Sequence, residues 1–421
     1  MSIKAIRGTK DILPSEVNTW TFIENVARCL FCQYGFDEIR TPIFEKTELF
    51  LSGIGEGSDI VQKEMYTFED PKKNRITLRP EGTAPVIRAF LENHLPQMGA
   101  LHKLFYLGPM FRYERPQKGR MRQFYQIGAE VLGVKAPLLD VDMMIFVHHF
   151  LKELGILNVT LKVNTLGSRE DKIAYQNNLK DFLSAKKTHL CKDCQVRYEK
   201  NVLRVLDCSN QNCSSIVKEM TPLSEIIGPE RREYFETVCL YLDKAGVPYE
   251  KDLYLVRGLD YYTDTVFEFL CSSLGAQNAI AAGGRYDNLV QTLGGKETPA
   301  FGFACGLERL ILSLPEDFNL SQSRTGVYWI FLEDKARQSF FSRVQWMREK
   351  GWKAEMSYED RSLKSQMRYA DKNNFEWIFI IGQKELEEGK FQVKNLETHV
   401  EMDLREDELS HWLQRFENKD E

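Results

Sequence analysis

A chain of 421 residues, 43% hydrophobic and 28% charged, has the balance of a folded globular protein with room for two or three cores, which excludes a disordered segment. A formal net charge of −5 excludes a surface that is basic all over, although local basic patches would still admit a nucleic-acid partner. The longest apolar runs, such as Trp377 to Ile381, are strand-sized, and Met1 to Lys10 scatter charges where a secretory signal would be apolar, so a cytosolic, membrane-free setting is expected.

Pro14 and Ser15 open a helix on which Val17, Trp20, Ala27, Leu30, Phe31 and Tyr34 recur at helical spacing until Gly35 stops it. An extended segment around Pro42 follows, then a glycine-rich loop from Ser52 to Ser58, a strand ending in Leu78-Arg79-Pro80 and a helix over Ala84 to Leu95. Two strands, Lys103 to Glu114 and Arg122 to Leu132, pair as a hairpin whose basic tip carries Arg115, Lys118, Gly119 and Arg120. Residues from about 170 to 235 are richer in Lys, Asn, Ser and Cys and poorer in aromatics, as an inserted helical piece would be. Strand patterns resume at Tyr254 to Val256 and Thr265 to Leu270, and a helix is expected over Phe301 to Leu314. Pro315 to Arg324 is polar and reads as a linker. Beyond it a strand (Val327 to Leu332), a helix to Glu349, a strand (Trp352 to Met356), a helix to Asn373 and a strand (Phe375 to Ile381) predict a small α/β domain with parallel strands.

The stretch Arg122 to Glu130 carries the most chemistry. Alternation along a strand puts Arg122, Phe124, Gln126, Gly128 and Glu130 on one face and Tyr125, Ile127, Ala129 and Val131 on the other. The second face is core-like. The first is either the solvent side of an antiparallel sheet or the floor of a polar pocket, since each buried unpaired group would cost about 1–3 kcal/mol. Arg112 and Glu114 share a face of the neighbouring strand, and arginine is the side chain best shaped for a phosphate. Gly302 to Arg309 sets glycines four apart, which at a helix start would allow close approach to a sheet or a nucleotide, with Arg309 one turn inside; tight helix packing is the plainer reading. The stretches Arg79-Pro80-Glu81-Gly82-Thr83, Val256 to Tyr262 and Ala282 to Asp287 each set an arginine beside a glycine and a carboxylate, as a binding loop or a turn with an ion pair would. No Walker loop, dinucleotide fingerprint or Ser-His-Asp pattern is present.

Taken in order, these segments resemble the histidyl-tRNA synthetases, over nearly the whole chain. The likeness lies in Arg7-Gly8-Thr9-Lys10-Asp11, a class II motif 1 region with Pro42, motif 2 from Phe111 to Phe124, motif 3 from Gly302 to Arg309, and two signatures, Arg257-Gly258-Leu259-Asp260-Tyr261-Tyr262 and Gly283-Gly284-Arg285-Tyr286-Asp287. The resemblance implies an α+β catalytic domain, an antiparallel sheet flanked by helices, over residues 1–325 with the insertion at about 170–235. It implies an α/β anticodon-binding domain over 326–421 and a homodimer formed through motif 1. ATP, L-histidine and tRNA(His) are the implied partners, with Mg2+ accompanying ATP and no metal held by the catalytic residues. Arg112, Glu114, Phe124 and Arg309 would then bind ATP, with Arg112 on the α-phosphate, Phe124 on adenine and Arg309 on the far end of the triphosphate. Glu81, Gly82, Thr83, Arg112, Gln126, Glu130, Arg257, Tyr261 and Tyr262 would bind histidine, Glu130 and Tyr262 holding the imidazole. Arg257 and Arg112 would be catalytic, Arg257 in the place where related synthetases use a metal ion. A regulatory paralogue that binds histidine without charging tRNA is the alternative within the fold.

The chain departs from the usual pattern of that family at Cys191, Cys194, Cys208 and Cys213, whose C-x2-C and C-x4-C pairs resemble a tetrahedral zinc site. Four reduced thiols on a helical insertion are the other reading, and the nine cysteines as a whole suit reduced thiols. A structural ion there would leave catalysis untouched.

Overall fold

A computed structural model describes residues 3–55, 57–117, 119–275, 278–320 and 323–417, divided into two compact units, 1–318 and 319–421. The strands in chain order are β1 (Asp37–Glu38), β2 (Phe44–Lys46), β3 (Tyr66–Glu69), β4 (Arg75–Leu78), β5 (His102–Phe111), β6 (Gln123–Leu132), β7 (Val159–Thr165), β8 (Tyr249–Lys251), β9 (Thr263–Cys271), β10 (Ala279–Arg285) and β11 (Ala300–Gly306) in the first unit. The second unit holds β12 (Val327–Phe331), β13 (Ala354–Met356), β14 (Trp377–Ile381), β15 (Lys390–Asn395) and β16 (Glu401–Arg405).

Eight strands of the first unit form one sheet in the order β1-β5-β6-β11-β10-β9-β7-β8. Every pairing from β5 to β7 is antiparallel, and only the short edge strands β1 and β8 pair in parallel. The sheet is thus mixed at its margins and antiparallel through its centre, where β6 lies. One face is apolar: Phe105, Ile127, Ala129, Val131, Phe267, Phe269, Phe301, Phe303 and Cys305 pack against the helices Pro14–Gln33, Pro137–Glu153 and Pro229–Lys244. The first of these helices buries Ile23, Ala27, Leu30 and Phe31, each large apolar side chain contributing about 1.5–3 kcal/mol, while Val17 stays exposed. The opposite face carries the polar row of β6 and is covered by the helix Thr83–Glu92 and by Tyr175, Leu203 and Val205.

Four expectations need correction. Ser52 to Ile54 close a helix, Thr47–Ile54, whose buried Phe50, Gly53 and Ile54 make it a packed element, so the glycine-rich loop is shorter than expected. Tyr254 to Val256 form no strand; Leu255 and Val256 are buried by docking in irregular chain, where an apolar run alone cannot tell strand from loop. Phe301 to Gly306 are strand β11 rather than the start of a helix, which is confined to Leu307–Ser313, because Phe301, Phe303 and Cys305 alternate into the core. The hairpin strands stop at Phe111 and Gln123, so Arg112 and Glu114 lie just past the strand end, although Arg112 N still donates to Arg122 O at 2.9 Å.

The second unit follows the expected alternation through β14. Its sheet runs β13-β12-β14-β15-β16, with β12 parallel to both β13 and β14 and the last two strands antiparallel. The helix Asp334–Glu349 covers one face, where Trp329, Phe340, Phe379 and Phe391 meet; Ala370 and Phe375 cover the other with Tyr328 and Ile378. Burial on both sides accounts for the near-continuous apolar runs of β12 and β14.

Candidate active site

The site grows from the hairpin of β5 and β6. Tyr106 pairs with Gly128 across the strands, and its ring lies flat against two backbones: a Cβ at Gly128 would stand 2.4 Å from it and one at Gly82 would stand 2.2 Å away. Only glycine fits at either position. Two residues further along β6, Glu130 pairs with Gly302 of β11, where a Cβ would fall 1.8 Å from the carboxylate oxygen. The glycines of β11 therefore clear room for an acid on the neighbouring strand.

Glu130 is fully buried and accepts hydrogen bonds from Thr83 Oγ1 at 2.7 Å, from Tyr106 Oη at 3.3 Å and from Tyr286 Oη. Burial is the dominant effect on its acidity and pushes its pKa up to about 8 despite the hydroxyl donors. Glu81, also buried, accepts from the backbone N–H groups of Thr83 and Ala84 at 2.9 and 2.8 Å, capping the helix Thr83–Glu92; burial raises its pKa too. Tyr261 and Tyr262 stand with ring centroids 4.7 Å apart, and burial lifts the Tyr262 phenol to about 12. Lys172, from the insertion helix Arg169–Ser184, fixes this pair by donating to the carbonyls of Asp260 and Tyr262.

A cavity of about 400 Å³ opens in front of this network. Glu81, Gly82, Thr83, Gln126, Tyr261 and Tyr262 line one part of it, and Arg112, Glu114, Phe124 and Arg309 another, with Arg257 also in the wall. Arg112 donates from Nε to the carbonyl of Pro80 at 2.9 Å and holds its guanidinium 5.2 Å from the centre of the Phe124 ring. Arg309 donates to the carbonyls of Gly119 and Ala279, bridging the hairpin tip to β10. Arg257 pairs with Glu268 at 2.8 Å, yet its buried Nε has no partner, and neither has Gln126 Oε1. Unsatisfied buried polar atoms are costly and uncommon, so both mark this wall as something other than ordinary core. Glu308 accepts from the Tyr125 N–H and is raised to about 7 by burial.

Most of the residues singled out from the sequence thus converge on one cavity, with four exceptions. Glu130 stands one layer behind the wall, reached through Thr83 and Tyr106. Arg122 does not line the cavity: it stacks on Tyr113, 3.9 Å from the ring centre, and donates to the carbonyls of Glu114 and Arg7. Of the basic hairpin tip, Arg120 reaches the cavity and pairs with Glu114 at 3.1 Å, Arg115 does not line it, and Lys118 lies outside the described residues. Arg79 and Arg285 are structural: Arg79 is spent on Pro109 and Thr41, and Arg285 is buried in an ion pair with Asp140 and Asp287. Tyr106, Tyr286, Glu268 and Lys172 went unnoticed as site residues. Tyr106 had one faint signal, its place opposite a strand glycine; Tyr286 sat inside a noted stretch; Lys172 had none.

Residues 8–310 match the profile of the family described as histidyl-tRNA synthetase, and residues 330–416 match one described as an anticodon binding domain. A histidine–tRNA ligase of Halothermothrix orenii is 47% identical over 96% of this chain and 97% of its own length, and one of Geobacter sulfurreducens is 44% identical over 96% and 97%. The apo structure of S. aureus histidyl-tRNA synthetase superposes with a TM-score of 0.82 at 34% identity, covering 98% of this chain and 99% of that one. A Bacillus halodurans structure described as an ATP phosphoribosyltransferase regulatory subunit/histidyl-tRNA synthetase shares the fold at a TM-score of 0.62 and 20% identity, covering 88% and 97%. The chain belongs to the histidyl-tRNA synthetase family.

Proposed function

We propose that this chain joins L-histidine to tRNA(His) at the expense of ATP, through a histidyl-adenylate. The observation that carries the reading is the single cavity in which phosphate-binding arginines, an adenine-sized aromatic face and a phenol–carboxylate network meet. In the first step the histidine carboxylate attacks the α-phosphorus and pyrophosphate leaves; in the second, the terminal ribose hydroxyl of the tRNA takes the acyl group and AMP leaves.

The residues act by positioning and by spreading charge. Phe124 stacks on adenine; Arg112 holds the α-phosphate; Arg309 holds the far phosphates, with Glu114 ordering the arginines around it. Arg257, fixed by Glu268 and with Nε unspent, neutralises the charge that grows on the α-phosphate as the carboxylate arrives. Glu81, Thr83 and Gln126 take the ammonium group, and Tyr262 and Glu130 read the imidazole, Glu130 acting through the hydroxyls that already bond to it. Such a buried polar network rejects side chains that leave it unpaired, which supplies selectivity without editing. Mg2+ entering with ATP would meet hard oxygen donors at Glu64, Glu114 and Glu268, which fits its chemistry, and would neutralise the triphosphate.

Residues 326–421 form the anticodon-binding domain in this reading and residues 1–325 the catalytic one; two chains pair through the motif 1 region in the cytosol. No helix among the described residues is long and apolar enough to cross a membrane. A histidine-binding regulatory paralogue is not favoured, since Arg112, Arg309 and the C-terminal unit are all present. The test is ATP–pyrophosphate exchange run with each of the twenty amino acids, followed by charging of tRNA(His). Exchange stimulated by histidine alone is expected, and histidine binding without exchange would overturn the assignment in favour of the regulatory reading.

A further inference from the structure

The insertion contains a cluster that the reaction does not use. Cys191 precedes the helix Lys192–Lys200 and Cys194 sits in its first turn; Cys208 lies in the following loop and Cys213 in the helix Gln211–Val217. Two cysteine pairs from separated segments converge so that all four Sγ atoms lie within 4.8 Å of one another. Cys191 and Cys208 are 3.8 Å apart. That is far longer than the roughly 2.0 Å of a disulfide. It matches the edge, about 3.8 Å, of a tetrahedron with Zn–S bonds of about 2.3 Å.

Backbone donors already point at the sulfurs: Cys191 N–H at Cys213 Sγ (3.2 Å) and Asn210 N–H at Cys208 Sγ (3.4 Å). Such bonds stabilise thiolate charge and fix ligand direction. An all-sulfur, tetrahedral donor set selects zinc over magnesium or calcium. Cys194 and Cys213 are fully buried, so the cluster is not an exposed collection of thiols.

We propose that Cys191, Cys194, Cys208 and Cys213 bind one zinc ion as four thiolates, and that this ion braces the segment Asn201–Asp207, which supplies Arg204 and Asp207 to the cavity wall. Binding is not a redox step: four S–H protons leave to solvent and four Zn–S bonds form. The chain between the second and third cysteines makes the connection to the site. Asn201 donates to Asp260 Oδ1 at 2.8 Å, Arg204 pairs with Asp59 at 3.1 Å, and Arg204 and Asp207 line the cavity beside Arg257. An ion anchoring both ends of this segment therefore affects substrate affinity, which revises the expectation that it stands wholly apart from catalysis. That second part rests on the function proposed above, whereas the metal site does not.

The experiment is metal analysis of the full-length protein, purified under reducing conditions without chelator, together with replacement by Co2+. About one zinc per chain and the intense visible absorption of a tetrahedral cobalt–thiolate centre are expected. Cys208→Ser removes one of the four ligands and should lower metal affinity by more than the roughly 100-fold that loss of an outer hydrogen-bond partner costs. It should raise the KM for histidine or ATP more than it lowers kcat in exchange. Wild-type protein that takes up no zinc after reconstitution, with these cysteines reacting as free thiols or found as disulfides, would overturn the site, as would an iron–sulfur chromophore. Should Cys208→Ser not fold, the wild-type zinc content and cobalt spectrum still decide. Full zinc occupancy with unchanged KM in a folded, metal-free Cys208→Ser protein would leave the site standing and refute its link to the cavity.

Discussion

Replacing Glu130 by glutamine tests the buried network at its centre. The carboxyl has an ordinary value of 4.5 and is raised to about 8 by burial in the folded chain. Between those pH values the folded state keeps a proton that the unfolded state has lost, so stability present below pH 4.5 is given up as pH rises and is gone above about 8. At about 1.4 kcal/mol for each pH unit the full effect is roughly 5 kcal/mol, and relaxation around the carboxylate would leave about 2–5 kcal/mol. Glu130→Gln mimics the protonated acid at every pH. It should carry a constant cost of about 1 kcal/mol, from the amide meeting hydroxyls arranged for a carboxyl. The assay is the thermal midpoint of both proteins from pH 5 to pH 9; other titrating groups cancel in the difference. At roughly 2 °C per kcal/mol, the midpoint of the variant relative to wild type should rise by about 4–10 °C across that range. A difference that stays flat would show that Glu130 does not titrate in this interval, and the account of its burial would fail.

Arg257→Ala should still fold, with the thermal midpoint lowered as Glu268 loses its partner, while exchange in the folded protein falls by about 10²–10³-fold; near-normal exchange would reject its catalytic role. Arg257→Lys should restore little, since a point charge does not reproduce the fork between Glu268 and phosphate. Gly302→Ala forces a Cβ to 1.8 Å from the Glu130 carboxylate and 2.7 Å from the Ala129 carbonyl, so a loss of about 3 kcal/mol in urea unfolding is expected. Adding Glu130→Ala to it should recover part of that loss, and strict additivity would count against the clash. Asp140→Ala strips Arg285 of its main buried partner and should cost about 3–5 kcal/mol of stability, with a smaller effect on the histidine KM of the folded fraction.

The parts of this fold written as local periodicity were legible in the sequence. The first helix, the β5–β6 hairpin and the alternation of the second unit through β14 all bury one regular stripe or run, and that pattern survives without knowledge of the partners. What failed were segments whose state is set from outside. The run Phe301 to Gly306 has glycines at a spacing compatible with either helix or strand, and it is a strand because Phe301, Phe303 and Cys305 alternate into a core supplied by distant elements, with Gly302 fitting beside Glu130 of the neighbouring strand. Tyr254 to Val256 is apolar because the insertion packs on it, not because it joins the sheet. The antiparallel pair β15 and β16 was missed because charged residues alternate along it at the sheet edge, where they resemble a loop.

The site shows the same division in its arginines. Arg79, Arg257 and Arg285 sit in near-identical local settings, each beside a glycine and a carboxylate, and no local rule separates them. Their hydrogen bonds do. Arg79 gives Nε and Nη1 to two carbonyls and a hydroxyl, Arg285 gives its nitrogens to Asp140 and Asp287 in the interior, and neither lines the cavity. Arg257 lines the cavity, is held at Nη1 by Glu268 and keeps a buried Nε unspent. An arginine intended for a transient anion must be anchored but left partly unsatisfied, because a fully paired guanidinium gains nothing when phosphate arrives and a wholly unpaired one would be too costly to bury. That requirement is imposed by residues tens of positions away in the chain, such as Asp140 for Arg285, which is why the shared motif marked where arginines gather but not which of them face the substrate.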